Sequence, residues 1–296
     1  MYIDLIRKRY VMQYFEIADL KVSVDGADYN LFKNRLKKYE VAPFDKSDIN
    51  VNFIYDNNIN EMMPKYFAVE EGRYYFKTNN GCGFYDYINE VDKVVTLMNA
   101  NNTWSDISYR FSDLSEIFGI KTDYAVGNIL GNLFQQSIMN FNGIVIHAST
   151  IKYKGKGVTF TAPSGTGKST HTGLWKKYYP ETIVINDDMP AIRFIDNQPL
   201  VYGTPWSGKT DINENDSAPL EAMVFIERSE ECTITEISPK EAFVKMMREI
   251  PIYPFKHQSD LMMSMMNKLF TQVPAYLLKC DISKNAVDTV KNKLFK

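Results

Sequence analysis

The chain has 296 residues, of which 45% are hydrophobic and 24% charged, and its formal net charge is -2. This length fits one large or two modest domains, and the charge argues against a nucleic-acid partner, which would need a basic face to neutralise phosphates. Three widely separated cysteines without a CxxC pair argue against a zinc site or a disulfide framework and favour a reducing compartment. No signal-peptide pattern and no apolar run of about 20 residues, the length that spans a bilayer, is visible, so we expect a cytoplasmic protein without a membrane partner.

The N-terminal part, about residues 1–115, is expected to be mostly β-structure. Short runs rich in aromatic and β-branched residues alternate with turn signals, of which Glu71-Gly72 and Asn80-Gly81 are typical of tight hairpins. The pattern predicts an antiparallel meander whose aromatic side chains pack a core, with a ligand platform as the alternative. The predicted strands are Val51-Asn-Phe-Ile-Tyr, Lys65-Tyr-Phe-Ala-Val, Arg73-Tyr-Tyr-Phe-Lys, Cys82-Gly-Phe-Tyr-Asp-Tyr and Lys93-Val-Val-Thr-Leu-Met.

From Thr122 onward the pattern changes to alternating strands and helices, as in an α/β domain. We therefore predict two domains, a β-rich one over 1–120 and an α/β one over 121–296. The predicted elements of the second domain are a helix capped by Thr122 or Asp123, strands at 144–148 and 158–162, a helix from about 168 to 178, strands at 182–186 and 223–227, a helix capped by Ser238, a helix over 261–270, a strand at 276–280 and a helix capped by Ser283.

The strongest functional signal is the glycine-rich sequence Ala162-Pro-Ser-Gly-Thr-Gly-Lys-Ser169, which matches the phosphate-binding loop pattern with alanine in place of the first glycine. Its glycines let backbone N–H groups turn towards phosphate oxygens, and the following helix directs its positive N-terminus at the anion. We expect Lys168 to face solvent and reach the β- and γ-phosphates of ATP or another nucleoside triphosphate, and the Ser169 hydroxyl to ligate Mg²⁺. The predicted nucleotide-binding residues are Ala162, Pro163, Ser164, Gly165, Thr166, Gly167, Lys168, Ser169 and Thr170.

Two adjacent acids, Asp187 and Asp188, close the strand that follows the loop and its helix. We expect this strand to neighbour the strand before the loop, so that both carboxylates lie beside the phosphates. One can then hold Mg²⁺ and the other can accept a proton from an attacking hydroxyl, and either assignment is open. The alternative is a solvated turn before Met189-Pro190.

Two histidines lie close to the loop along the chain. His147, at the end of the strand that precedes the loop strand, is expected to tune a catalytic aspartate or to bind the transferred phosphate, although a histidine on an apolar strand is usually a core group. His171, on the first turn of the following helix, is expected on the helix surface rather than at the phosphates.

The segment Tyr202-Gly-Thr-Pro-Trp-Ser-Gly-Lys-Thr210 is too rich in glycine and proline for a regular element and is predicted to be a shaped loop. Because it follows the strand that bears the acids, we expect it to form one wall of the site, at the carboxyl edge of the sheet where ligands of α/β proteins bind. Lys209 could neutralise charge that develops during transfer, and Trp206 could close over the nucleotide or substrate. A rigid structural turn is the alternative.

The phosphate loop at Ser164 to Ser169, the upstream His147 and the pair Asp187-Asp188 resemble the C-terminal catalytic domain of HPr serine kinase, over about residues 125–230. The loop also resembles that of ATP-dependent phosphoenolpyruvate carboxykinase, which shares the nucleotide-binding core. The sequences Ser164 to His171, Asn186 to Asp188 and Gly203 to Lys209 also resemble those of uncharacterised HPr-kinase-like proteins.

The resemblance implies an α/β fold with a P-loop nucleotide-binding core of the HPr kinase/phosphoenolpyruvate carboxykinase type, and it assigns catalysis and metal binding to His147, Asp187 and Asp188. It implies an ATP- and Mg²⁺-dependent kinase for a serine-like hydroxyl of a peptide, protein or small molecule. A glycine-bearing signature that follows the aspartates in HPr kinase is not visible, so HPr itself is not the expected acceptor. A nucleotide-gated binding protein is the first alternative and a carboxykinase the second. A homo-oligomer is compatible with the resemblance, since HPr kinase forms hexamers.

Overall fold

The computed structural model describes residues 12–26, 33–117, 122–250 and 253–295. The chain divides into two compact units, Met1–Asn140 and Phe141–Lys296. This division comes later in the chain than the predicted 120/121 boundary, so the first helix of the predicted α/β domain groups with the N-terminal unit. Both units contain helices and strands, and the fold is mixed α/β. Within the described residues, no helix has both the length and the apolarity to cross a membrane.

The first unit is built on one eight-stranded sheet. Its strands are β1 (Gln13–Ile17), β2 (Leu20–Asp25), β3 (Ile49–Tyr55), β4 (Tyr66–Glu70), β5 (Arg73–Thr78), β6 (Gly81–Ile88), β7 (Lys93–Asn101) and β8 (Asp106–Phe111). They lie in the order β1-β2-β3-β8-β7-β6-β5-β4. Strands β4 to β7 form an antiparallel meander as predicted, and the unpredicted strand β8 extends it. The prediction that β3, at residues 51–55, belongs to the meander is wrong, because β3 pairs in parallel with both β2 and β8. The unit also contains α1 (Lys33–Leu36), α2 (Asp113–Ile117) and α3 (Thr122–Ser137).

The hairpins of this sheet show which turn signals were correct. Glu71 and Gly72 both have positive φ, 47° and 82°, and connect β4 to β5 as predicted. The next turn lies at Asn79-Asn80, one residue earlier than predicted. Gly81 is already the first residue of β6, where a Cβ would come within 2.0 Å of the Ala100 carbonyl oxygen. Close backbone approach, not the turn itself, therefore requires this glycine.

The second unit contains a mixed nine-stranded sheet. Its strands are β9 (Gly143–Val145), β10 (Ala148–Tyr153), β11 (Lys156–Thr161), β12 (Ile183–Asp188), β13 (Ala191–Ile195), β14 (Gln198–Tyr202), β15 (Ser217–Arg228), β16 (Thr233–Ile237) and β17 (Ala275–Cys280). The main order is β12-β10-β11-β15-β14-β13-β9, and β17 pairs with β15 and β16. Strands β11, β15 and β17 are parallel, and β10 is antiparallel to both β11 and β12. Strands β11, β12, β15 and β17 therefore end at the same edge.

The helices of the second unit are α4 (Lys168–Tyr178), α5 (Pro239–Met246), α6 (Lys256–Gln272) and α7 (Lys284–Leu294). The predicted cap of α5 is confirmed, because the Ser238 side chain accepts a hydrogen bond from the Glu241 N–H and Pro239 occupies the first turn. Ser283 does occupy the cap position of α7, but its hydroxyl donates to Asp281 rather than accepting from the helix. Helix α4 packs on the sheet through Trp175, which is fully buried in one cluster with Phe160 and Val287.

Candidate functional site

The glycine-rich loop joins the carboxyl end of β11 to the N-terminus of α4. Gly165 and Gly167 have φ angles of 76° and 124°, which favour glycine, and a Cβ at either position would meet nothing within 4 Å. Conformation rather than crowding therefore requires glycine at both positions. Ser164, Ser169 and Thr170 are exposed around the loop. The strand, loop and helix thus have the arrangement in which backbone N–H groups and a helix N-terminus can receive an anion.

Lys168, at the start of α4, is buried rather than solvent-facing as predicted, with 8% of its surface exposed. The side chain folds back over the loop, where its ammonium donates to the Ala162 carbonyl oxygen at 2.7 Å. Burial lowers the pKa of Lys168, and the negative charges of Glu249, Asp188 and Asp187 oppose that shift. The lysine and these three carboxylates therefore share one electrostatic environment at the edge of the sheet.

Arg228, the last residue of β15, fixes the loop from its other side. Its Nε donates to the Thr166 carbonyl oxygen at 3.0 Å, and Nη2 donates to the Gly165 carbonyl oxygen. Both bonds use carbonyl oxygens of the loop and occupy none of its N–H groups, of which that of Thr166 donates to the Pro163 carbonyl oxygen at 3.1 Å. The sequence reasoning missed this residue, which lies far along the chain from the glycine motif and has no characteristic spacing to it.

Asp187 and Asp188 are the last two residues of β12. The prediction that their strand neighbours β11 is wrong, because β10 lies between the two and pairs Ser149 with both Phe160 and Asp187. The acids nevertheless reach the same edge, since β11 and β12 run in the same direction on either side of an antiparallel strand. The loop follows β11 and the acids close β12, so both lie at the same edge of the sheet although β10 separates the two strands.

The two acids differ in their surroundings. Asp187 is 6% exposed, and neither carboxylate oxygen has a hydrogen-bond partner among the described residues. Asp188 is more open, with 32% of its side chain exposed. A buried carboxylate without donors is costly, and a cation is the partner that its chemistry fits. Within the described ranges, no group of three or more His, Cys, Asp or Glu side chains could hold a metal ion on its own.

His147 lies where the predicted strand 144–148 is broken into β9 and β10. The Thr161 hydroxyl donates to its carbonyl oxygen at 3.2 Å, which places it beside the end of β11. Its Nε2 is 3.3 Å from the Asp188 carboxylate, and its Nδ1 is 3.8 Å from the Glu249 carboxylate. The structure therefore brings His147 and Asp188 together. Glu249, which follows α5, gave no sequence signal.

The predicted shaped loop, residues 203–209, lies against the acids. A Cβ on Gly208, whose φ is 59°, would stand 2.9 Å from Asp188 Oδ2. Lys209, the next residue, is exposed. Trp206 is only 4% exposed, so its proposed closure over a ligand is wrong. The indole is buried within the unit instead, and Gly208 is the loop residue whose backbone lies beside the Asp188 carboxylate.

Asn186 connects this loop to the acids. Its side chain is fully buried, and Nδ2 donates to the carbonyl oxygens of Thr204 at 2.9 Å and Trp206 at 3.3 Å. Its Oδ1 accepts from the N–H groups of Asp188 at 2.9 Å and Met189 at 2.8 Å. Its position directly before the two acids was visible in the sequence, but the positioning role was not.

His171 is a core residue and not the helix-surface residue predicted. It is 3% exposed, its ring centroid lies 4.6 Å from that of Phe160, and its Nε2 accepts from Trp175 Nε1 at 3.2 Å. Burial lowers its pKa to about 4. The ring is therefore neutral at pH 7, and because Nε2 accepts, Nδ1 carries the proton. This Nδ1 has no hydrogen-bond partner among the described residues.

Comparisons with known proteins extend these observations. No curated protein matches the chain. One similar solved structure is the HPr(Ser) kinase/phosphatase from Coxiella burnetii, with 12% sequence identity, a TM-score of 0.28, and coverage of 50% of this chain and 95% of that chain. A likeness at this level carries no argument about function. The family model described as SynChlorMet cassette protein ScmC matches residues 126–296, more than half of the chain. The chain belongs to this ScmC family of SynChlorMet cassette proteins.

Proposed function

We propose that the second unit binds a nucleoside triphosphate with Mg²⁺ and transfers its γ-phosphoryl group to a hydroxyl of a peptide, protein or small molecule. The observation that carries the proposal is the convergence of Lys168, Asp187 and Asp188 at one edge of the sheet, where Asp187 is buried and has no hydrogen-bond donor among the described residues. A solvated turn would expose this carboxylate, whereas a cation-assisted site has a use for it.

Phosphate binding is assigned to the loop and to Lys168. The loop N–H groups and the N-terminus of α4 face the anion, and the exposed Ser164 and Thr170 hydroxyls can add hydrogen bonds. An ammonium has three protons, of which Lys168 uses one on Ala162. The remaining two can bind phosphate oxygens without disrupting the loop.

Asp187 and Ser169 are the residues proposed to hold Mg²⁺. Mg²⁺ is usually held by one or two carboxylates together with substrate phosphates, which agrees with a site that no described cluster could form by itself. When bound, the ion would neutralise charge on the phosphates during transfer. Asp187 suits the ligand role better than Asp188 because it is buried and neither of its oxygens accepts a hydrogen bond within the part of the chain that the structure describes.

Asp188 is proposed as the base that accepts the acceptor's hydroxyl proton. It is exposed enough to meet a second substrate, and His147, 3.3 Å away, can orient its carboxylate. Gly208 lies against this carboxylate, and the exposed Lys209 is the next residue in the chain. Lys209 is proposed to stabilise charge on the acceptor or the γ-phosphate with its ammonium. The first unit, in which we find no phosphate-binding motif, is proposed to select the acceptor.

Nucleotide turnover tests this proposal. ADP formation from ATP and Mg²⁺ is measured with panels of serine-containing peptides and small hydroxyl compounds. Asp188→Asn should lower acceptor-dependent turnover by about 10²- to 10⁴-fold, the range for loss of a general base, with nucleotide affinity retained. The matched control is Asp196→Asn, a change in the exposed turn between β13 and β14. Unchanged turnover in Asp188→Asn would contradict the proposed base, and nucleotide binding without ADP formation for any acceptor would favour a nucleotide-gated binding protein.

A further inference from the structure

A recess of about 580 Å³ lies on the side of the phosphate loop that faces away from the acids. It is bounded by the first turns of α4, the end of β15 and the residues after β17. Strands β15 and β17 follow β11 on one side of the sheet, whereas β12 with Asp187 and Asp188 lies on the other side. The loop therefore separates the acid cluster from the recess, and Gly167 and Thr166 of the loop form part of the recess wall.

The chemistry of the recess changes from its interior to its rim. Leu174, Ile226 and Ile282 supply apolar wall surface. Asp281 and Glu230 lie at the exposed rim. Hydrogen bonds from the Ser283 side chain and backbone lower the pKa of Asp281, so this rim group stays ionised and accepts hydrogen bonds. Apolar walls with a hydrogen-bonding rim suit a flat heterocycle joined to a sugar that carries hydroxyl groups.

His171 provides a second and independent sign of a ligand. It lines the recess, is 3% exposed, and has a buried Nδ1 without a hydrogen-bond partner among the described residues. Since Nε2 already accepts from Trp175, the unpartnered atom is a donor. A buried donor left unpaired is destabilising, so an acceptor atom on a bound molecule would stabilise this site.

We infer that the recess binds the base and ribose of the nucleoside triphosphate, with a ring nitrogen or carbonyl of the base accepting from His171 Nδ1. This inference rests on the proposed function and adds to it the orientation of the bound nucleotide. The nucleotide lies across the carboxyl edge of the sheet, with the nucleoside over β15 and β17, the phosphates on the loop above β11, and the terminal phosphate towards Asp187 and Asp188. Arg228, which donates to loop carbonyl oxygens, lies between the nucleoside and the phosphates.

Binding measurements on the full chain test this arrangement. Calorimetry with Mg²⁺ compares the tightest binder among ATP, GTP, CTP and UTP with inorganic tripolyphosphate. The variant Ile282→Trp adds bulk at a recess residue that is 76% exposed, so folding is preserved. It should weaken nucleotide binding by about tenfold or more, equivalent to 1.4 kcal/mol, and leave tripolyphosphate binding within about twofold. The matched control is Ile183→Trp, at an isoleucine 42% exposed at the opposite end of β12, and should change neither affinity.

Histidine NMR supplies a second readout that does not depend on a substitution. The chain has three histidines. In ¹⁵N-histidine-labelled protein, the Nδ1 resonance of His171 should shift with the nucleotide and stay in place with tripolyphosphate.

The outcomes separate this inference from the proposed function. If tripolyphosphate binds as tightly as every nucleotide, or if Ile282→Trp retains nucleotide affinity, the recess does not hold the nucleoside although the phosphate site stands. If the parent binds neither nucleotide nor tripolyphosphate, both proposals fail.

Discussion

The two units treat charge in opposite ways. Among the described residues, the acidic and basic side chains that are at most 9% exposed are Lys168, His171, Asp187 and Arg193, and all of them belong to the second unit. The first unit keeps its partly buried charges in pairs, such as Arg73 with Asp86 and Arg110 with Asp56. Of these four, Asp187 is the carboxylate whose oxygens both lack a hydrogen-bond partner among the described residues. Since a buried charge is costly unless it is paired, its retention indicates selection for something other than stability.

The two units also differ in which of their features could be predicted from the sequence. In the first unit, alternation and turn residues were enough to find strands β4 to β7 of the meander, but not β8. The predicted packing role of the aromatic residues agrees with the burial of Phe76 and Tyr85 in one cluster. The parallel pairing of β3 with β2 and β8 was not predictable, because it joins segments far apart in sequence. Periodicity reports which face of a strand is buried and carries no information on its neighbour.

In the second unit, the glycine loop and the paired acids could be identified because their spacing is local. The position of β10 between β11 and β12 could not be predicted, because the order of strands in a sheet depends on pairing between segments that are far apart in sequence. Glu249 and Arg228 reach the site from elements after it in the chain. His171 was misplaced because its burial depends on contacts with Phe160 and Trp175 rather than on its position in the first helical turn.

Of the variants that test the difference between the two units, Asp187→Asn is expected to have the largest effect. Removing a buried charge without hydrogen-bond donors should raise the melting temperature of the protein without ligand, by an amount that corresponds to about 1–3 kcal/mol. The same change should remove Mg²⁺-dependent strengthening of nucleotide binding. Thermal unfolding and calorimetry with and without Mg²⁺ measure the two effects. A lower melting temperature together with intact Mg²⁺ dependence would mean that Asp187 is a structural residue.

A smaller effect is expected from Gly208→Ala. The added Cβ would come within 2.9 Å of Asp188 Oδ2 and should displace that carboxylate, so turnover should fall by about tenfold while nucleotide affinity is kept. Gly155→Ala is the matched control, because Gly155 also has positive φ, 77°, but nothing lies within 4 Å of its added Cβ. Both variants share a strain of about 1–2 kcal/mol from the left-handed backbone. Equal turnover in the two variants would show that the loop over residues 203–209 is not part of the active site.

The smallest functional effect is expected in the first unit, for Asp86→Asn. The Asp86 carboxylate accepts from Arg73 Nε at 2.7 Å, from Arg73 Nη2 at 3.1 Å and from the Thr96 hydroxyl. Its loss should lower the free energy of unfolding by about 1–2 kcal/mol, since hydrogen bonds to charged groups are lost at a partly exposed site. Nucleotide affinity and turnover per folded molecule should match the parent. If Asp86→Asn raised the stability of the protein, as Asp187→Asn is expected to do, the proposed difference between the units would be contradicted.

Nucleotide binding by the phosphate loop is the central claim, and Lys168→Ala tests it most directly. The melting temperatures of the parent and the variant are measured with and without Mg²⁺-ATP and Mg²⁺-GTP, because a ligand that binds only the folded state raises the temperature of unfolding. The account predicts that at least one nucleotide stabilises the parent and that neither stabilises Lys168→Ala, while both proteins unfold cooperatively without ligand. Equal stabilisation of the parent and the variant would contradict it.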